Sequence, residues 1–145
     1  MHAAISHQPL DSNRVAMMVS DDRSGAVVTF TGVVRDHDAN RAVAAIDYSA
    51  HPSADRILHT LVAQCCVREG VHGAAAEHRV GHVGIGEVAM VVAVSAEHRG
   101  QAFAATSDLV DAVKANVPIW KCQWFTDGSH EWTGLPKSTK DGEQQ

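Results

Sequence analysis

Long apolar runs are missing from this chain, and none approaches the roughly 20 residues of a membrane-spanning helix. The first residues, MHAAISHQPLDSNR, lack the charged start and apolar middle of a secretory signal, so a cytoplasmic protein is expected. Cysteine is scarce. The 3 residues present, Cys65, Cys66 and Cys122, are an odd number with two adjacent, which is no disulfide framework. An excess of positive charge is absent as well: Lys and Arg number 12 against 17 Asp and Glu, a net charge of -5, which argues against general nucleic-acid binding. There is no HExxH and no CxxC, and no Walker or Rossmann glycine pattern; GHVGIG at Gly81–Gly86 falls between two predicted strands instead of opening a helix. The 10 histidines therefore stand without a metal signature. His78 and His82 could share a strand face, but no third ligand falls at a useful spacing, so no metal and no cofactor is expected.

What is present is ordinary for a folded soluble chain: 145 residues, 45% hydrophobic and 20% charged. That length suits one domain, residues 1–145, with a core that needs no cross-links. The polar stretch from Gly134 to Gln145 reads as a loose tail.

Residues 1–10 show no clear period. Asp11–Ser20 predicts a short helix capped by Asp11 or Ser12, with Val15, Met18 and Val19 turned inward. Ala26–Val34 is rich in β-branched residues and predicts a buried strand, with a bulge or close approach at Gly32. After the polar loop Arg35–Arg41, Ala42–Ser49 predicts a second strand, paired with the first as a long-tipped hairpin. Pro52–Glu69 is the clearest helix, with Ala54, Ile57, Leu58, Leu61, Val62 and Cys65 on one face, Pro52 in its first turn and Gly70 just past its end.

Ala74–Val83 and Glu87–Ser95 predict two strands joined at Gly84–Gly86, the second so apolar that it should be central in its sheet. A helix follows from about Gln101 to Lys114, with Phe103, Thr106, Val110 and Val113 on one side. Ile119–Phe125 and His130–Thr133 close the chain as strands around a Thr126–Ser129 turn. The order, ββαββαββ after a short helix, indicates an α+β fold with a mostly antiparallel sheet and two main helices.

The chemistry concentrates between Asp111 and Trp132. Lys114 and Lys121 flank Asn116-Val117-Pro118, which a helix cannot easily cross, because proline lacks an N–H and biases the residue before it away from helix. Lys114 should then close one helix and Lys121 open the strand behind it. Two ammonium groups on different elements, joined by one tight connection, suit an anion such as a phosphate or carboxylate. Two solvated surface lysines are the plain alternative. Strand alternation sets Ile119, Lys121 and Gln123 on one face and Trp120, Cys122 and Trp124 on the other, with the tryptophan face expected to be the buried one. Cys122 thus points away from Lys121, which opposes a thiolate nucleophile, while Cys65 and Cys66 suit packing. Arg35 directly after a strand, and His98-Arg99 ahead of a helix, stand where folds display functional side chains or ordinary surface ones.

GAVVTFTGVVRDH (Gly25–His37), HRVGHVGIGEVAMVVAVSAEHRGQAF (His78–Phe103) and VKANVPIWKCQ with DGSHEW (Val113–Trp132) together resemble the catalytic large subunit family of molybdopterin synthase. The resemblance implies an α/β-hammerhead fold and a sulfurtransferase. Such an enzyme takes sulfur from the C-terminal thiocarboxylate of a small ubiquitin-like subunit and adds it to cyclic pyranopterin monophosphate, forming the dithiolene of molybdopterin. It also implies a heterotetramer with a large-subunit homodimer at its centre. Carried over, Lys114 and Lys121 are the catalytic pair, and Arg35, His98 and Arg99 bind the pterin phosphate. Val33, Val34, Cys122 and Gln123 line the same pocket, and Phe30 lies near the incoming tail. The family usually has an acidic residue at the position of Gln123, so Lys121 here lacks that carboxylate. Against this reading stand a non-catalytic module that binds a pterin, a phosphate or a ubiquitin-like partner, and a Cys122-dependent sulfurtransferase acting alone.

Overall fold

The computed structural model describes residues 1–134; residues 135–145, which hold nearly all of the expected tail, lie outside the described residues. The fold is mixed α+β and mostly antiparallel, built on two sheets. The elements are β1 (His2–Ser6), α1 (Ser12–Met18), β2 (Ala26–Val33), β3 (His37–Asp38), β4 (Arg41–Ala50), α2 (Ala54–Cys66), β5 (Val71–Arg79), β6 (Gly81–Gly84), β7 (Val88–Ala96), α3 (Arg99–Asn116), β8 (Ile119–Phe125) and β9 (His130–Thr133).

The first sheet runs β1-β5-β7-β2. As its composition predicts, β7 is central, and eight of its nine residues are buried because both faces are covered. On one face α2 and α3 pack Leu58, Val62, Ala102, Leu109 and Val113 against Ala74, Ala76, Val92 and Val94. On the other, α1 sets Val15 and Val19 on Ala75, Val91 and Ala93. Asp11 caps α1, its carboxylate accepting from Asn13 N–H (3.0 Å) and Arg14 N–H (3.3 Å). Two residues expected inside face water instead: Met18 is 43% and Phe103 62% exposed. The helix periods were right, but each face is narrower than the apolar residues that could fill it. Similarly, α2 begins at Ala54 behind Ser53, two residues after Pro52, which stays outside its first turn.

Three strand assignments change. The N-terminal residues without a period form β1, parallel to β5 with His2 opposite Ala75; backbone pairing to a neighbour needs no alternation when both faces are in contact. β2 and β4 are not a hairpin. β2 pairs with β7 at the edge of the first sheet, half-buried along one face only, while β4 belongs to the second sheet. The turn instead joins β3 to β4 through Ala39 (φ 50) and Asn40 (φ 66), the backbone of a tight two-residue connection. Finally, the stretch 74–83 is not one strand. It breaks at Val80–Gly81, where Gly81 has φ 93, and β6 crosses to pair with β4.

The second sheet runs β3-β4-β8-β9, with β6 on β4. Its own core is small: Val34, Val43, Ile46, Val83 and Phe125. The expected bulge is present, the register of β2 on β7 shifting between Gly32 and Val33. Past it, Val34 N–H donates to the Glu87 carbonyl (3.1 Å) and Gly86 N–H donates to the Val34 carbonyl (2.7 Å). These bonds pin the end of β2 at the seam between the sheets.

Candidate active site

That seam is open on one side. A cavity of about 540 Å³ lies between the sheets, a size suited to a small-molecule ligand. Its wall comes from the end of β2 and the loop after it, from β4, β5 and β7, from the end of α3, and from β8.

The end of α3 is fixed by sequence. Val117 takes extended dihedrals (φ -77, ψ 121) ahead of Pro118, and its N–H donates to the Val113 carbonyl at 3.0 Å. Lys114 therefore lies in the last turn, where the helix dipole favours a cation. The chain turns at once into β8, and alternation brings Ile119, Lys121 and Gln123 to the cavity. Arg35 joins from the loop after β2 and lies 3.5 Å from the Asp38 carboxylate. Three cations from three elements thus border one space. Neither lysine has a carboxylate partner within 4.0 Å among the described residues, whereas most of the arginines do.

Of the residues singled out from sequence, Val33, Val34, Arg35, Lys114, Lys121 and Gln123 line the cavity together. Phe30 lies just beneath: a Cβ built on the lining residue Gly32 would come 3.3 Å from the Phe30 ring. His98 and Arg99 are elsewhere. They begin α3, with His98 N–H donating to the Gln101 side chain (3.1 Å). Arg99 and Lys114 lie fifteen positions apart on one helix, a rise of about 22 Å at 1.5 Å per residue. Cys122 is also off the wall, as the pleat requires.

The face that carries Cys122 was expected to be the buried one, and it is not. Trp124 is 37% and Trp132 46% exposed, and Trp124 Nε1–H donates to the Asp47 carboxylate at 2.7 Å. Only Cys122 is buried there, its thiol pushed up by burial and by the Asp47 charge. Sheet alternation placed the side chains correctly; what failed was the rule that tryptophan goes inside, because the opposite face already had the cavity and the core around Phe125 to cover.

Sequence reasoning missed Tyr48 and His78 on the wall. His78 and His82 do not share a face, since the break at Val80–Gly81 puts them on different strands, and His82 Nδ1 bonds to Asp47 on the outer side (2.9 Å). The available signal was alternation in β5: Ala74, Ala76 and His78 follow on one face, and a histidine that ends an apolar series marks the point where core becomes cavity. Burial raises the Tyr48 hydroxyl above its ordinary pKa and lowers the His78 imidazole below its own.

The family model described as MoaE protein matches residues 5–116. The chain belongs to that family. It is 38% identical over 135 residues to molybdopterin synthase catalytic subunit 1 of Mycobacterium tuberculosis, covering 92% of this chain and 90% of the relative. It is 35% identical over 133 residues to the molybdopterin synthase catalytic subunit of Emericella nidulans, covering 91% and 68%. Among solved structures it is similar to molybdopterin synthase from Staphylococcus aureus, with a TM-score of 0.82 at 28% identity, over 89% of this chain and 94% of that one. The family model ends at Asn116, so of the two lysines it spans Lys114 alone; the longer alignments extend further along the chain.

Proposed function

We propose that this chain is the catalytic subunit of a molybdopterin synthase. It takes sulfur from the C-terminal thiocarboxylate of a small ubiquitin-like subunit and adds it to cyclic pyranopterin monophosphate, forming the dithiolene of molybdopterin. Membership of the MoaE family and relatives named for this activity support the reading. The observation that carries it to this site is the convergence of Arg35, Lys114 and Lys121 on one cavity, with no carboxylate within 4.0 Å of either lysine among the described residues.

Both reactants are anions, and unpaired cations in a concave wall gather them. Sulfur attack on a pterin carbon needs the two held in line, which is the work of the wall around Val33, Val34 and Gln123. Phe30, under Gly32, borders the path of the partner's tail. Lys121, held on a strand, steadies the sulfur and the oxyanion that forms when the acyl group is later released. Lys114, on the helix end, supplies acid–base work. His98 and Arg99 lie too far along α3 to reach this cavity from the same chain. A role for them in holding the pterin phosphate comes from a second copy, as in a homodimer at the centre of a heterotetramer. The chain acts as one domain and in the cytoplasm; among the described residues no helix is long and apolar enough to cross a membrane.

A single-turnover assay tests this. The protein is mixed with thiocarboxylated small subunit and cyclic pyranopterin monophosphate, and molybdopterin is followed as its fluorescent oxidised derivative, for wild type and Lys121→Ala. The expected result is product from the wild type and almost none from the variant, with partner binding intact. Full product from Lys121→Ala would discard the lysine mechanism. Binding of both reactants without product from either protein would favour a non-catalytic binding module.

A further inference from the structure

The charges on the cavity wall leave one requirement unmet. Releasing an acyl group with water needs a proton acceptor, and an ammonium or guanidinium has no lone pair to offer. Asp38, the acidic residue on the wall, is 41% exposed and faces Arg35 at 3.5 Å. Gln123 is neutral. Of the two histidines on the wall, His37 is 64% exposed and its Nδ1 is taken up by the Asp36 carboxylate at 2.8 Å, so the half-buried His78 is the wall residue with a base to give.

Its geometry is fixed on two sides. Nδ1 lies 2.8 Å from the Arg79 carbonyl, which can only accept, so Nδ1 carries the hydrogen and Nε2 keeps its lone pair. The ring meets Tyr48 edge-on, with centroids 5.2 Å apart at 71°. The groups around it come from several elements: Ile5 and Met90 opposite it on β1 and β7, Tyr48 on β4, Lys114 on α3, Lys121 on β8, Arg35 on the loop after β2, and His37 with Asp38 on β3. Burial, and after it the Lys114 charge, hold the imidazole below the ordinary histidine range, although the Arg79 carbonyl pulls the other way. Nε2 is therefore unprotonated at neutral pH.

We propose that His78 is the general base that activates water to free the partner's tail from the newly placed sulfur. The inference rests on the sulfur-transfer reading above. Once the thiocarboxylate sulfur has bonded to a pterin carbon, the tail is attached to it as a thioester. Water oxygen bonds to the acyl carbon while one water proton moves to His78 Nε2. The C–S bond then breaks, and its electron pair stays on sulfur as a thiolate. The tail leaves as a carboxylic acid, which ionises to solvent, and no oxidant or reductant is needed. The imidazolium so formed beside Lys114 is repelled by it and returns its proton to solvent, ready for the second sulfur.

The test is the single-turnover reaction of wild type and His78→Asn, run from about pH 5 to pH 8 across the histidine range. The asparagine amide can still donate to the Arg79 carbonyl but offers nothing at the place of Nε2. Expected are release slowed about 10²-fold, a partner–pterin conjugate that accumulates and is seen by mass spectrometry, and loss of the wild type's acidic limb, whose midpoint lies below pH 6.5. Wild-type rate and limb in His78→Asn would overturn this role alone, while absence of product from the wild type would overturn the sulfur-transfer reading with it. Should the variant not fold, the imidazole ¹⁵N signals of wild-type His78 decide: an Nδ1–H neutral ring at pH 7 supports the role, and an imidazolium there overturns it.

Discussion

Gln123 offers a test in which stability and binding should move in opposite directions. The residue is 4% exposed, lies on the cavity wall, and its Oε1 has no hydrogen-bond partner among the described residues. Thr133 Oγ1, on the neighbouring strand and on the same wall, is in the same condition. A buried acceptor left unmet costs about 1–3 kcal/mol. The free protein bears that cost, and a ligand with an N–H directed at Oε1 relieves it. In Gln123→Leu a side chain of similar volume removes the acceptor without opening a void. The folded state should then be as stable as wild type or more stable, by up to about 1–3 kcal/mol.

Affinity should fall. A pterin N–H facing leucine loses its acceptor, again at about 1–3 kcal/mol, which corresponds to about five- to 150-fold weaker binding. Urea unfolding gives the first quantity from the midpoint at unchanged slope. Titration with cyclic pyranopterin monophosphate gives the second. A variant that loses more than about 1 kcal/mol of stability would mean the amide is satisfied in the free protein. Wild-type affinity would mean that Oε1 does not meet the ligand. Either result refutes the reasoning.

Three further outcomes follow from the same structure. At pH 8 iodoacetamide should modify Cys66 first and leave activity intact. Burial and the neighbouring Cys66 push the Cys65 thiol up to about 11, so about one Cys65 in a thousand is thiolate there, and Cys122 is both buried and raised; rapid loss of activity tracking Cys122 labelling, read by peptide mapping, would restore the thiolate mechanism. An inactive double variant His98→Ala/Arg99→Ala mixed with inactive Lys121→Ala should recover part of the activity, because in a mixed dimer one site receives both sets; no recovery after subunit exchange would place the pair outside the site. Leu58→Ala, at 0% exposure between α2 and the first sheet, should cost about 2–5 kcal/mol in urea unfolding; less than about 1 kcal/mol would mean the helix collapses onto the gap.

The parts of this molecule legible in its sequence are those decided locally. The break after Asn116 is set by Pro118 and the bulge at Gly32 by the glycine itself. The lysine pair follows from these: once the helix must stop and the strand must alternate, Lys114 and Lys121 have few places to go. Pairing partners were not legible. β2 and β4 are both β-branched segments around a polar loop, and nothing local says that β2 will choose β7. The break at Val80–Gly81 was equally hidden, because Gly81 in an alternating run looks like any strand glycine until its φ of 93 is seen. For the same reason His78 was set on one strand face with His82, without a metal, and not on the wall beside Lys114.

Those unreadable choices are the ones that make the site. If β2 and β4 were a hairpin, Arg35 would sit on its exposed tip, and if β5 and β6 were one strand, His78 would end in mid-sheet. Because the chain changes sheets after β2 and again at Gly81, the ends of β2 and β5 meet β8 and the end of α3 around one seam. The second sheet hardly needs its own hydrophobic stability, since its core is five residues; its main contribution is to hold Lys121, Gln123 and Tyr48 against the rigid first sheet. Arg35 or Lys114 alone would be an ordinary surface cation, screened within about 10 Å at moderate salt. Placed on one concave wall with the His78 imidazole, they become a field that draws two anions together beside a base that can separate the products.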